Sequence, residues 1–198
     1  MSRHLCSKFV LTVLFAAFAL PTSSQVAPAA RGGVGVTMSA GAGVSDYKMD
    51  FGPGHEWGGT LWYDANLHGV SPLLEGLGIE IEARDLSLHR GPLLPNDFRT
   101  DTLGGGLTYT YRHFQNFRPY VKFLGSYGSL DISKHGYHFT WVDWAPGGGV
   151  EYRPFGHVWL RADYEYQDWN NIFQNGWDLD PQGFTVGAMY EFNNHRRH

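Results

Sequence analysis

The sequence predicts an all-β fold, an eight-stranded antiparallel up-and-down transmembrane β-barrel. Three observations predict it. Eight segments alternate with a period of two, the signature of strands with two different faces. One face of each segment is apolar and aromatic, while the other mixes glycine with charges of both signs. No apolar run of helix-spanning length follows the N-terminal leader, so any membrane crossing falls to strands, which alternate rather than run continuously apolar.

The first segment is GVGVTMSAGAGVS, with Val34, Val36, Met38, Ala40, Ala42 and Val44 on one face. The second, EWGGTLWYDANL, sets Trp57, Leu61, Tyr63, Ala65 and Leu67 against Gly58, Thr60, Trp62 and Asp64. In the third, LGIEIEARDLSL, Leu77, Ile79, Ile81 and Ala83 oppose Glu80, Glu82 and Arg84. The fourth, TLGGGLTYTYR, opposes Leu103, Leu107, Tyr109 and Tyr111 to Gly104, Gly106, Thr108, Thr110 and Arg112. The fifth, PYVKFLGSYGS, opposes Val121, Phe123 and Tyr127 to Lys122, Ser126 and Gly128. The sixth, WAPGGGVEY, carries Val150 and Tyr152 opposite Gly149 and Glu151; Pro146 and the glycine triplet weaken its pattern. The seventh, HVWLRADYEYQ, opposes Val158, Leu160, Ala162, Tyr164 and Tyr166 to Arg161, Asp163, Glu165 and Gln167. The eighth, GFTVGAMYEF, carries Phe184, Val186, Ala188, Tyr190 and Phe192 on its apolar face. Those five positions cover about 30 Å of strand, which at a tilt near 45° matches a bilayer's apolar thickness.

Ahead of the strands, Arg3 and Lys8 precede an apolar run over residues 9–20, followed by Pro21 and small residues. That order reads as a secretory signal peptide, residues 1–24, with Thr22 and Ser24 at the −3 and −1 positions; Ala27-Pro28-Ala29 is an alternative cleavage region. Residues 25–32 form a short lead-in, 33–192 the barrel and 193–198 a polar periplasmic tail. The single cysteine, Cys6, lies in the leader, so the exported chain forms no disulfide of its own. Loss of Arg3 and Lys8 takes the formal net charge from −4 to −6, and the remaining basic residues are scattered apart from Arg196 and Arg197. Nucleic acid, which needs a clustered basic face, is excluded as a partner.

Connections after strands four and six are short, residues 113–118 and 153–157. Those after strands one, three, five and seven are longer, as in residues 89–99, 132–143 and 170–181. The residue 68–78 link after strand two breaks this alternation. Short links read as periplasmic turns and long ones as external loops. Two barrels fit, a soluble lipocalin-like one with apolar residues inside and an outer-membrane one with them outside. The polar face favours the membrane barrel. Its glycines Gly35, Gly41, Gly43, Gly58, Gly104, Gly106, Gly128, Gly149 and Gly187 give a watery surface no benefit but make room in a narrow lumen. Its charges, Asp64, Glu80, Glu82, Arg84, Arg112, Lys122, Glu151, Arg161, Asp163, Glu165 and Glu191, can pair across that lumen and plug it. Tyr and Trp near both ends of the apolar face suit the membrane–water boundary.

An exported eight-stranded chain closing on FTVGAMYEF resembles the small bacterial outer-membrane β-barrel family, whose relatives include outer membrane protein A-like transmembrane domains and protein X-like barrels. The segments FRPYVKFLGSYGS and PGGGVEYRPFGHVWLRADYEY carry the likeness, which extends over residues 32–192. The resemblance implies an assembly signal in the last strand at Val186, Ala188, Tyr190 and Phe192, read by barrel-assembly machinery. The chain departs from the family in the NNHRRH tail after Phe192, and no periplasmic peptidoglycan-binding domain, hence no cell-wall tether, is expected. It also implies outer-membrane localisation, a monomer, contact with outer-membrane lipid and lipopolysaccharide, and a structural or surface-interaction role such as envelope integrity or adhesion. A narrow porin and a lipid A-modifying enzyme are the alternatives within the family, beside the lipocalin-like reading.

Residue chemistry adds no catalytic, cofactor or metal site. His135 and His138 sit close in one loop, but no carboxylate or cysteine spacing completes a metal site. Asp85, Ser87 and His89 share one strand face, a linear order that does not converge as a triad must. Trp141, Trp144, Trp169, Phe173 and Trp177 read as loop aromatics packed over the barrel mouth.

Overall fold

The computed structural model describes residues 35–49, 54–69, 71, 74–88, 98–132, 137–169 and 180–192. The signal peptide, the lead-in and the tail lie outside the described residues. Eight antiparallel strands, β1 (Gly35–Lys48), β2 (His55–His68), β3 (Leu77–Leu88), β4 (Phe98–Thr110), β5 (Phe117–Ile132), β6 (Tyr137–Phe155), β7 (Val158–Tyr166) and β8 (Gln182–Glu191), close into a barrel in sequence order.

The ring is staggered. From Tyr47 on β1, cross-strand partners run through Gly183, Glu165, Gly147, Lys122, Thr108, Gly78 and Asn66 to Thr37, ten residues lower on the strand where the path began. With ordinary strand rise and spacing, that stagger tilts eight strands by about 40° from the barrel axis.

Outside and inside are opposite to those of a soluble barrel. Leu103, Leu107, Val121 and Val186 are each at least 60% exposed, whereas Glu80, Arg161 and Glu165 are at most 2% exposed. Outward positions form a continuous apolar band, with Val36 to Val44 on β1, Leu77 to Ala83 on β3, Leu103 to Tyr109 on β4 and Phe184 to Phe192 on β8. Toward the ends joined by the β1–β2, β3–β4 and β5–β6 links the same face turns polar, at Asp46, Asp85, Asp101 and Ser129. Leu160 sits one outward step from the start of β7 and pairs with Ala188, so it lies shallower than Val186, nearer the middle of β8.

Strand six is the main departure from the sequence reading. Its N-terminal half, expected as a loop, is strand: β6 begins at Tyr137, and only residues 133–136 separate it from β5. YHFTWVD does alternate, with Trp141 and Asp143 buried against exposed His138, Thr140 and Val142, but aromatic and polar residues occur on both faces and hide the period. The third external connection is therefore the shortest, and the expected alternation of link lengths fails there. β6 also outruns β7. The isolated bridge Trp144↔Asp168 keeps the register of the β6–β7 ladder, which resumes at Gly147↔Glu165. Trp144 accepts a bond from Asp168 N at 3.0 Å. Pro146, next on the same edge, has no N–H to offer, which interrupts the ladder. Pro154 lies within the register shift between Tyr152 and Phe155, and Gly156 makes the following two-residue turn with φ 53°.

Candidate functional site

The inward face fills the lumen in three tiers. At the floor, the end where β1 begins and β8 finishes, Trp62, Trp159 and Met189 form an apolar cluster. A Cβ at Gly41 would overlap the Trp62 ring, so that glycine is the space the indole occupies; a Cβ at Gly187 would meet the Ala42 carbonyl oxygen and the Gly43 backbone before it met the edge of the same ring. The Arg118 guanidinium lies 3.6 Å from the centre of the Trp159 ring and bonds Glu191 at 2.7 Å, linking β5, β7 and β8 across the lumen. Arg112, just beyond β4, donates to Thr37 Oγ1 at 3.2 Å. Glu151 is buried opposite Arg161 in the β6–β7 ladder.

The central tier is an ion-pair network. Arg161 reaches Asp64 at 3.3 Å, Glu80 at 2.7 Å and Asp163 at 3.3 Å, and its Nε donates to the Tyr120 hydroxyl at 2.6 Å. Lys122 Nζ lies within 3.5 Å of Glu80, 2.8 Å of Glu82, 3.3 Å of Asp163 and 2.7 Å of Glu165. Arg84 pairs with Glu82 and, at 2.9 Å, with Glu165. The structure thus brings together eight of the eleven charged residues singled out in the sequence, Asp64, Glu80, Glu82, Arg84, Lys122, Arg161, Asp163 and Glu165. Glu191, Arg112 and Glu151 lie at the floor, and the bond drawn from Arg112 goes to a hydroxyl rather than to a carboxylate. Arg118 was missed because it was counted in the turn, although its spacing from Lys122 puts it on the same face.

Above this, Ser45 bonds both Thr60, at 2.5 Å, and Thr185, at 2.8 Å. Gln167 donates to Glu165 at 2.7 Å and accepts from Trp169 Nε1 at 2.8 Å. Met49, Leu86, Leu130, Trp141 and Trp169 are buried at this end, opposite the floor, and the two indoles stand 4.1 Å apart between ring centres. Asp143, bonded by Ser126, and Glu56 are buried among them, two carboxylates absent from the sequence-derived set. Trp141 and Trp169 cap the mouth. Trp144 does not: it is 53% exposed on the outer wall, 5.7 Å from the Phe123 ring. Phe173 and Trp177 lie outside the described residues.

The outer rim carries polar pairs above the apolar band. His55 meets Asp46 at 2.9 Å, Arg99 meets Asp85 at 2.8 Å and Asp101 at 3.3 Å, and His138 meets Asp131 at 2.8 Å. Asp85 and Ser87 both point outward, and Asp85 is engaged by Arg99; His89 and His135 lie outside the described residues. Among the described residues no group of three or more metal-ligating side chains converges.

A closed ring of eight strands, apolar outside and charged inside, agrees with a family model that matches residues 10–192, the outer membrane protein beta-barrel domain. The chain belongs to that family. The family is one of the bacterial outer membrane. In sequence, no curated protein matches the chain. Among solved structures, Neisserial surface protein A is similar at TM-score 0.59 and 16% identity, covering 81% of this chain and 99% of its own. The attachment invasion locus protein Ail of Yersinia pestis is similar at TM-score 0.54 and 18% identity, covering 79% and 97%. At these identities the likeness concerns the fold.

Proposed function

We propose that this outer-membrane barrel is a non-catalytic wall protein with a plugged lumen whose extracellular rim engages a surface partner. The observation that carries the reading is the β5–β6 hairpin. Its strands run past the apolar band, and Ser129, Asp131, His138 and Thr140 face outward where the wall has left the lipid. A sheet that merely spanned the bilayer would end with the band. The names of the two similar proteins, a surface protein and an attachment invasion locus protein, agree with an adhesive role. The three filled tiers argue against a porin. In this reading the chain is a monomer, exported with cleavage after Ser24, held among outer-membrane lipid and lipopolysaccharide, and inserted by assembly machinery that reads Val186, Ala188, Tyr190 and Phe192.

The test compares cells displaying the wild-type barrel with cells displaying Asp131→Ala/His138→Ala/Thr140→Ala at equal outer-membrane levels. Wild-type cells should adhere better to host-cell and matrix surfaces. Equal adhesion would remove the role assigned to the hairpin. Stepwise conductance of the purified barrel in planar bilayers would remove the plug.

A further inference from the structure

We propose that the closed lumen holds protons as structural counter-ions, one of them shared between Asp64 and Glu80. The argument begins with charge. In the central tier three cations, Arg84, Lys122 and Arg161, face five carboxylates, Asp64, Glu80, Glu82, Asp163 and Glu165, and all eight are buried. At the floor Arg118 pairs with Glu191, Arg112 bonds Thr37, and Glu151 lies opposite Arg161, so two arginines stand there against two carboxylates and add no net positive charge. Glu56 and Asp143 in the cap add two more buried carboxylates. Uncompensated charge is costly in such an interior.

Geometry selects the pair. Asp64 and Glu80 are direct partners in the β2–β3 ladder, both pointing inward. They divide a single guanidinium, Arg161 Nη1 on Asp64 and Nη2 on Glu80. Lys122, the other cation at Glu80, is 3.5 Å away and is shared among four carboxylates. Two adjacent carboxyls with so little positive charge between them retain one proton. Other groups facing the tier are the Tyr47 and Tyr120 hydroxyls, which already donate to Glu165 and Asp163, the Ser39 hydroxyl, which donates to Asp64 at 3.4 Å, and Thr60, which accepts from Arg84, while β4 contributes Thr108 there. Asp163 uses only Oδ2 for its partners, and its buried Oδ1 meets no donor, a second sign that the tier is short of positive charge. Glu165 is bonded through Oε1 by Arg84, Tyr47 and Gln167, and Lys122 lies 2.7 Å from its Oε2.

Infrared spectroscopy of the barrel folded in lipid vesicles at neutral pH reads this directly. The carbonyl stretch of a protonated carboxyl should be present in the wild type and weaker in Glu80→Gln. Unfolding at neutral pH should release protons. Glu80→Gln, an amide in place of a protonated acid, should keep its unfolding midpoint, while Glu165→Gln should lower it. Absence of both the acid stretch and the proton release in the wild type overturns the proposal, whether or not either variant folds. An acid stretch unchanged in Glu80→Gln overturns the assignment to this pair.

Discussion

Replacing Arg161 with leucine tests the plug at its most connected point. The side chain meets Asp64, Glu80 and Asp163, donates to Tyr120, and lies 4.4 Å from the Tyr120 ring centre and 5.0 Å from that of Trp62. The loss is uneven. Lys122 still serves Glu80 and Asp163, but Asp64 keeps only the Ser39 hydroxyl, at 3.4 Å, and the proton proposed between it and Glu80. The one negative charge of that pair loses its guanidinium, and stranding a buried charge costs about 3–5 kcal/mol. The lost ring contacts add about 1 kcal/mol, so the upper part of that range is expected. Urea unfolding in vesicles, followed by tryptophan fluorescence and by heat-modifiable migration on gels, measures the change. The double variant Arg161→Leu/Asp64→Asn should recover much of the loss, because the stranded charge is gone. A shift below about 1 kcal/mol, the range of exposed pairs, would refute the reasoning that the tier is dry and mutually compensating.

Three further outcomes are expected. Val186→Arg on the lipid face should destabilise the barrel by about 2–4 kcal/mol, and Leu160→Arg by clearly less because it lies nearer the periplasmic edge; equal effects in the same urea assay would contradict the depth assignment. Gly41→Leu should cost about 1–3 kcal/mol or more by displacing the Trp62 indole, and Trp62→Leu in the same chain should relieve it; if the second change deepens the loss, the glycine is not there for the ring. Phe192→Ala should lower the yield of heat-modifiable barrel in outer-membrane fractions, whereas deletion of residues 193–198 should leave it intact; the reverse result would place the assembly signal in the tail.

The barrel, its strand number and the identity of its two faces were legible because each rests on a period of two, which short segments display by themselves. Glycine mixed with charge on one face, in a chain with aromatic residues on the other, identified the lumen without any contact being known. What stayed hidden has particular causes. The start of β6 was missed because Phe139 and Trp141 face inward while Val142 and Trp144 face outward, so hydrophobicity alone shows no alternation there. Trp144 was read as a loop residue for the same reason. Arg118 was lost to a turn boundary placed two residues too late, and Asp143 to the loop assigned over it. Trp62 was read on the polar face, yet its ring fills the space over Gly41 from β1 and its edge reaches Gly187 from β8, which only the closed ring brings together.

Partners within the lumen were beyond any local pattern. Arg84 meets Glu165 from 81 residues away, and Lys122 meets Glu80 from 42. A period of two assigns each charge to the inner face but leaves its height undetermined. The ten-residue stagger supplies that height, since every strand is displaced along the axis relative to the one before it. A slip of two residues between β2 and β3 would keep every side chain on its face and satisfy the same alternation. It would also carry Asp64 away from Glu80, and Arg161 could no longer hold both. The outer wall, apolar throughout its band, would barely register that slip, whereas the lumen would lose paired charge. The inward charges therefore specify which of the barrels permitted by the alternation is formed, and the lipid-facing residues specify only that one is.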